Sequence, residues 1–239
     1  RRQRQLCIRD SSMTENAIRS LVKWCARERF LFVLVSLLGF LILSPLFKGF
    51  IGLKTFLDIF LTVIFISAIY AVSQKRHNLI IGTLLITPMF LATWVSHFVE
   101  SPALSLIATV SGILFFAFMV VSILSFVLKQ TRVTPNVIYA AIVVYLSIAM
   151  MWGLIFILVE ILQPGSINLA QSLVKERTFQ FFYYSFVTIT TLGYGDITPT
   201  SDIVRSLALL EAVIGQIYLV VLVARLVGIH ISQSMKEES

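Results

Sequence analysis

Charged residues are scarce in this sequence. Only 13% of its 239 residues are Asp, Glu, Lys or Arg, while 58% are hydrophobic and the mean hydropathy is +0.92. A soluble enzyme is excluded, because soluble domains carry about twice this share of charge, roughly a quarter of their residues. A disordered chain is also excluded, because aromatic residues make up 12% of the sequence. The composition therefore predicts a membrane protein.

Cysteine is scarce as well. Cys7 and Cys25 lie in a basic segment and flank no motif, so neither a disulfide framework nor a metal site is predicted. A net charge of +7 would suggest a nucleic-acid partner in a soluble protein. Here the basic residues cluster between apolar runs, so they indicate membrane topology and no nucleic acid is expected.

Six apolar runs are long enough to cross a hydrocarbon core, which takes about 20 helical residues. They are Phe30 to Phe47, Phe56 to Ser73, Leu79 to Phe98, Ala103 to Leu128, Asn136 to Leu162 and Ile203 to Ile231. Of the 19 Lys and Arg residues, 14 fall on the side that holds both chain ends. The six runs thus predict an all-α membrane protein with six transmembrane helices. The positive-inside rule predicts that both termini are cytoplasmic.

The sequence divides into four parts. Residues 1–29 form a cytoplasmic basic segment, and residues 30–130 hold the first four spans. A polar break near Thr131 begins the last two spans, residues 131–231, and residues 232–239 form a short cytoplasmic tail. The spacing of apolar residues over 14–29 predicts an amphipathic helix on anionic lipid. A solvated continuation of the first span is an equally good interpretation.

The stretch between the last two spans is too short to cross a membrane and too apolar for an ordinary loop. It comprises a helical segment at about residues 178–189 and an extended segment at 190–196. Irregular backbone at membrane depth is tolerated only where protein buries it or where it lines a water-filled cavity. A re-entrant helix followed by a loop meets this constraint.

Gly193 and Gly195 stand two residues apart in this loop. A backbone that turns successive carbonyls to one side must leave the usual φ, ψ regions at alternate residues, which glycine does without steric cost. If several copies met around an axis, the stacked oxygen rings would replace the water shell of a monovalent cation.

The run from Thr188 to Asp196, TITTLGYGD, resembles the selectivity-filter signature T-x-x-T-x-G-Y-G-D of the tetrameric potassium-channel superfamily. The likeness covers about Asn136 to Ile231, a pore module of the bacterial two-helix type. The first four spans match voltage-gated-type subunits only in number. The resemblance implies a homotetramer in the plasma (inner) membrane that conducts K+ passively, without enzymatic activity or cofactor. It assigns the K+ ligands to the backbone carbonyls of Thr191, Leu192, Gly193 and Tyr194, with Gly195 completing the outer turn.

The resemblance also implies residues that support the filter. These are Thr188, Thr190, Asp196 and Tyr183. The family usually has a tryptophan pair where this chain has Tyr183 and Tyr184, so we expect the Tyr183 hydroxyl to reach the Asp196 carboxylate.

In the last span, the resemblance places a gating hinge at Gly215 and cavity-lining side chains at Leu219, Val223 and Val227. Close helix packing at Gly215 is an equally good interpretation. Glu211 is a charge inside the span, for which we expect a partner on a neighbouring helix. The fourth span has no arginine, so strong voltage gating is not expected.

Two other functions remain as alternatives. A nonselective cation channel of the same architecture would usually alter the Tyr-Gly half of the filter, which is intact here. A secondary transporter would be expected to show inverted repeats and broken helices in both halves, whereas this sequence has one re-entrant element.

Overall fold

The computed structural model of the chain describes residues 29–43, 53–72, 76–96, 98, 99, 101–169 and 177–237. In chain order, these residues form α1 (Arg29–Leu43), α2 (Leu53–Val72), α3 (Arg76–Val95), α4 (Pro102–Lys129), α5 (Pro135–Leu162), β1 (Ile167–Asn168), α6 (Arg177–Ile189), β2 (Thr198–Pro199) and α7 (Asp202–Glu237). The predicted amphipathic helix and its lipid contact lie outside the described residues except for Arg29, which begins α1.

Among the described residues, four helices are long and apolar enough to cross a membrane. They are α3, α4, α5 and the Asp202–Met235 part of α7, which correspond to the last four predicted spans. At the position of the first predicted span, α1 has 15 residues, fewer than the roughly 20 that a straight crossing needs. The described apolar part of α2 is Leu61–Ala71. The fold is helical as predicted, and six spans stay a prediction.

Prolines set where two of these helices begin. Pro102 starts α4 and Pro135 starts α5, as expected for a residue whose missing N–H costs nothing in the first turn. The residues before them, Ser101 and Thr134, have extended backbone angles, which is the conformation that a following proline favours. The start of α5 at Pro135 was predicted from the sequence and is confirmed.

The centre of the structure is α5, which packs against α1, α4, α6 and α7. Its buried residues include Ala149, Gly153 and Phe156. The ring of Phe40 on α1 meets that of Phe182 on α6 edge to face, with 5.4 Å between centroids. One hydrophobic core therefore runs from the first helices to α6.

A small antiparallel pair of strands lies between the C-terminal end of α5 and the N-terminal end of α7. Ile167 pairs with Pro199, and Asn168 pairs with Thr198. The sequence analysis did not predict these strands, because two-residue segments have too little periodicity to be recognised. They connect the turn after α5 to the start of α7, so the chain between residues 190 and 200 is held at both ends.

The close contact between α5 and α6 leads to a test of the packing. In Gly153→Ala the added Cβ would lie 2.5 Å from the Phe182 ring and 3.1 Å from its Cα. Because backbone as well as a side chain must move, we expect the free energy of unfolding to fall by about 1–3 kcal/mol. Gly82→Ala is the control, since its Cβ would meet Phe118 at 3.5 Å. Thermal unfolding in detergent measures both variants, and an equal loss in the control would contradict the packing.

Candidate functional site

The site is built on α6, a short helix that packs between α5 and α7. With 13 residues it is well below the roughly 20 that cross a membrane. Its buried side chains lie on the faces that touch the neighbouring helices: Gln180, Phe181, Phe182, Tyr184, Ser185, Val187 and Ile189. The Tyr184 ring packs 4.9 Å from that of Phe156 on α5. These contacts fix the end of α6 from which the loop begins.

After Ile189 the chain folds back onto the last turn of α6. The Thr191 N–H donates to Thr188 O at 3.0 Å, and the Leu192 N–H donates to Val187 O at the same distance. Two predicted support residues anchor their hydroxyls to α6 itself. Thr188 Oγ1 donates to Tyr184 O at 2.8 Å, and Thr190 Oγ1 donates to Phe186 O at 2.6 Å.

These hydrogen bonds decide which way the loop carbonyls point. The N–H groups of Leu192 and Gly193 both point to Val187 O, at 3.0 and 3.4 Å. In a planar trans peptide group, the C=O points opposite to the N–H. The carbonyls of Thr191 and Leu192 therefore both point away from α6. In the described part of the chain, no hydrogen bond uses the carbonyl oxygens of residues 191–195.

Positive φ angles alternate along the same segment. Thr191 has φ 58°, Gly193 has φ 57° and Gly195 has φ 77°. A Cβ added to either glycine would meet nothing within 4 Å, so the backbone conformation and not crowding is what favours glycine there. The sequence predicted an unusual backbone conformation at both glycines. It did not predict the positive φ of Thr191, because a β-branched residue rarely adopts this conformation.

The side chains of the loop leave large apolar surface uncovered in the single chain. Leu192 is 54% exposed and Tyr194 is 67% exposed. The described residues bring together no three His, Cys, Asp or Glu side chains that would hold a metal ion. A cation at this segment would therefore meet backbone carbonyls and the Thr191 hydroxyl.

Tyr183 and Asp196 link the middle of α6 to the end of the loop. Tyr183 Oη donates to Asp196 Oδ2 at 2.8 Å, which is the contact expected from the sequence. Because Asp196 follows the extended segment directly, this bond fixes the end of the loop that lies away from the α6 terminus.

The end of α6 is also fixed from behind. Tyr145 on α5 donates its hydroxyl to Ile189 O at 3.1 Å. On α7, a Cβ added to Gly215 would lie 2.8 Å from the same carbonyl and 2.5 Å from the Ile189 side chain. This favours close packing at Gly215, which lies inside the unbroken helix α7. The hinge at this glycine stays a prediction.

A buried polar cluster lies one turn before these contacts. Glu211 on α7 is 0% exposed, and its Oε1 lies 2.5 Å from Ser185 Oγ on α6. The same Ser185 Oγ lies 2.6 Å from Ala149 O on α5. Glu211 Oε2 has no hydrogen-bond partner among the described residues. The sequence predicted a partner on a neighbouring helix but did not identify Ser185.

A second acidic residue, Glu160, supports the outer end of the site and was missed by the sequence analysis. Its two carboxylate oxygens accept the N–H groups of Gly165 and Ser166 at 3.0 and 3.1 Å. Ser166 O in turn accepts the N–H of Thr200 at 2.9 Å. The carboxylate thus connects α5 to the segment that follows the loop. An acid at the end of an apolar run, just before a Pro-Gly turn, was the available signal.

The C-terminal half of α7 is attached to the α4–α5 connection. Arg225 donates to the carbonyl oxygens of Leu128 and Gln130, and Gln233 Oε1 accepts the Val133 N–H at 3.4 Å. The three predicted cavity-lining residues lie on this half of the helix. Leu219 is partly buried, and Val223 and Val227 are exposed.

Comparison with known proteins agrees with this geometry. Residues 133–231 match the family model described as an ion channel. The match covers α5, α6, the loop and most of α7, which is less than half of the chain. No curated protein and no solved structure matches. Residues 133–231 are therefore similar to an ion channel domain.

The Tyr183–Asp196 bond can be tested by substitution. Tyr183→Phe keeps the ring and removes the donor. We therefore expect the free energy of unfolding to fall by about 0.5–1.5 kcal/mol, or by up to about 3 kcal/mol if the carboxylate is left unpaired. Thermal unfolding in detergent measures the change. The double variant with Asp196→Ala should be no worse than the worse single variant. Additive losses would mean that the two side chains act separately.

Proposed function

We propose that this chain is one subunit of a potassium-selective channel, which conducts K+ passively through a homotetrameric pore in the plasma (inner) membrane. The observation that carries the proposal is the segment 191–194, whose carbonyl oxygens take part in no hydrogen bond among the described residues. The ion channel match over the same residues supports it. No bond is made or broken in this function, so the chain acts without a cofactor.

The chemistry of the segment suits a dehydrated cation. An unpaired carbonyl away from water is costly, because it has lost its hydration without a replacement. A K+ ion that has shed its water provides that replacement, and the carbonyl dipoles in turn replace the hydration shell of the ion. The oxygens of Thr191, Leu192, Gly193 and Tyr194 would form successive rings along the path.

One chain supplies only one side of such a ring. A closed cyclic assembly completes it, and a homotetramer is the form that the filter signature implies. The Leu192 and Tyr194 side chains, 54% and 67% exposed in the single chain, would be covered in such an assembly. A large share of the apolar surface of α7 is also exposed in the single chain.

The α6 helix would act as a pore helix. Its C-terminal end carries the negative end of the helix dipole, equivalent to about half an elementary charge. Directed at a water-filled cavity, this end favours a cation there. Leu219, Val223 and Val227 would line the path below that cavity, where an apolar constriction gates by dewetting.

The first four helices would not act as a voltage sensor. Between Pro102 and Leu128, α4 contains no Lys or Arg, whereas each charge that crosses the field contributes about 2.3 kcal/mol per 100 mV. By the positive-inside rule both termini would be cytoplasmic, with residues 14–29 near anionic lipid. Arg225 and Gln233 contact the α4–α5 connection, so a movement of α4 would be transmitted directly to the C-terminal half of α7.

Flux of K+ and Na+ into liposomes tests the function. The purified chain should take up K+ much faster than Na+, and barium should block uptake. Gly193→Ala should abolish selective uptake, because a side chain at φ 57° costs about 1–2 kcal/mol per residue, repeated in each subunit. Equal uptake of the two ions by the wild type would favour the nonselective channel, and retained selectivity in the variant would contradict the filter assignment.

Gly165→Ala is the matched control for this variant. Gly165 has φ 85° and, like Gly193, nothing within 4 Å of an added Cβ, but it lies in the turn after α5. The backbone strain is similar while the loop carbonyls are untouched. Selective K+ uptake should survive in the control, and its loss would show that any strained glycine has the same effect.

A second experiment tests the gate. Val223→Ser should raise basal K+ flux several-fold, because a hydroxyl makes an apolar constriction easier to wet. Val221→Ser is the control, since Val221 is 56% exposed against 57% for Val223 and lines a cavity shared with α4 and α5. Unchanged flux in Val223→Ser, or an equal rise in the control, would contradict a constriction at this position.

A further inference from the structure

Three helices of the ion channel domain meet at the side chain of Ser185. Its Oγ lies 2.6 Å from Ala149 O on α5 and 2.5 Å from Glu211 Oε1 on α7. Ser185 and Glu211 are both 0% exposed. The cluster is therefore closed to solvent within the single chain, before any partner subunit is added.

The hydrogen atoms of the cluster can be counted. A backbone carbonyl such as that of Ala149 can only accept, and an ionised carboxylate can only accept as well. The Ser185 hydroxyl has one hydrogen, and a hydrogen bond places that hydrogen near the line between donor and acceptor oxygens. It cannot serve both acceptors. The contact between Ser185 Oγ and Glu211 Oε1 therefore needs a second hydrogen, and among the described residues in contact with Ser185 Oγ the carboxyl group is the one that can carry it.

We propose that Glu211 is a neutral, protonated positioning residue, whose carboxyl O–H donates to Ser185 Oγ while the Ser185 hydroxyl donates to Ala149 O. No Lys, Arg or His nitrogen among the described residues forms an ion pair with it. The ionisable groups that face it are Tyr145 on α5 and Tyr184 on α6. An ionised carboxylate here would be closed to solvent, with no cation among the described residues to compensate its burial.

This chain of hydrogen bonds would hold the filter indirectly, so its role there depends on the proposed function. Ser185 lies one helical turn before Ile189, and Glu211 lies one turn before Gly215, which packs against Ile189. The two contacts attach consecutive turns of α7 to consecutive turns of α6. Moving the end of α6 would then require breaking the buried cluster.

Glu160 provides a contrast within the same chain. Both of its oxygens accept backbone N–H groups, from Gly165 and Ser166, so it acts as an acceptor only. An amide at that position would turn an NH2 group toward N–H donors. We therefore expect glutamine to keep the hydrogen bond of Glu211 with Ser185 and to lose those of Glu160, although both residues have buried carboxyl groups.

The test compares Glu211→Gln, Glu211→Ala and Ser185→Ala, with Ser147→Ala as the control. Ser147 is buried and donates only within its own helix, to Val143 O. Glu211→Gln and the control should keep the K+ over Na+ flux ratio. Glu211→Ala and Ser185→Ala should lower it roughly tenfold, the size expected when a buried hydrogen-bonding group loses its partner. A roughly tenfold lower K+ over Na+ flux ratio in Glu211→Gln, with the ratio unchanged in Ser147→Ala, would overturn the proposal.

Infrared spectroscopy tests the protonation without any ion flux. The wild type should show the carbonyl-stretching band of a protonated carboxylic acid that Glu211→Gln lacks. Ser185→Ala should shift this band and Ser147→Ala should not, which keeps the test decisive if Glu211→Gln fails to fold. Absence of the band overturns the protonated carboxyl. Presence of the band in a chain without K+ selectivity would overturn the proposed function and leave the cluster intact.

Discussion

The structure depends on how the backbone polar groups of one short segment are satisfied inside an apolar protein. Helices satisfy their own N–H and C=O groups, and most of this chain is helical for that reason. Residues 191–195 differ from the helices, because their carbonyls accept no hydrogen bond within the described part of the chain. A segment of this kind needs a ligand or water on its open side and rigid protein on the other.

The rigid side is supplied by α5, α6 and α7 together. Val187 O accepts the N–H groups that turn the loop carbonyls outward, and Ile189 O is held by Tyr145. At the outer end, Glu160 ties α5 to the segment that returns to α7. The loop is thus fixed by N–H groups that donate to α6 and by contacts at its far end, whereas its carbonyl oxygens accept no hydrogen bond among the described residues. This arrangement suits a site whose carbonyl oxygens must stay available to a ligand, because the N–H groups hold the backbone in place.

The sequence predicted the parts of this site that depend on local pattern. Apolar run lengths predicted six spans, and four of them match described helices that are long and apolar enough to cross a membrane. Glycine spacing identified the loop. The Tyr183–Asp196 contact followed from the filter resemblance. The Ser185–Glu211 contact was beyond prediction, because it joins residues far apart in the chain whose types have no fixed pairing. The positive φ of Thr191 was missed because local propensity opposes it and only the surrounding hydrogen bonds impose it.

The central claim is that four copies of residues 191–194 face a common axis with K+ between them. An electron cryomicroscopy map of the purified protein in lipid nanodiscs with K+ tests it most directly. The account predicts four-fold symmetry and a row of ion densities between the carbonyls of opposite subunits. A map in which these segments lie far apart, or face protein with no ion route beside them, would contradict it.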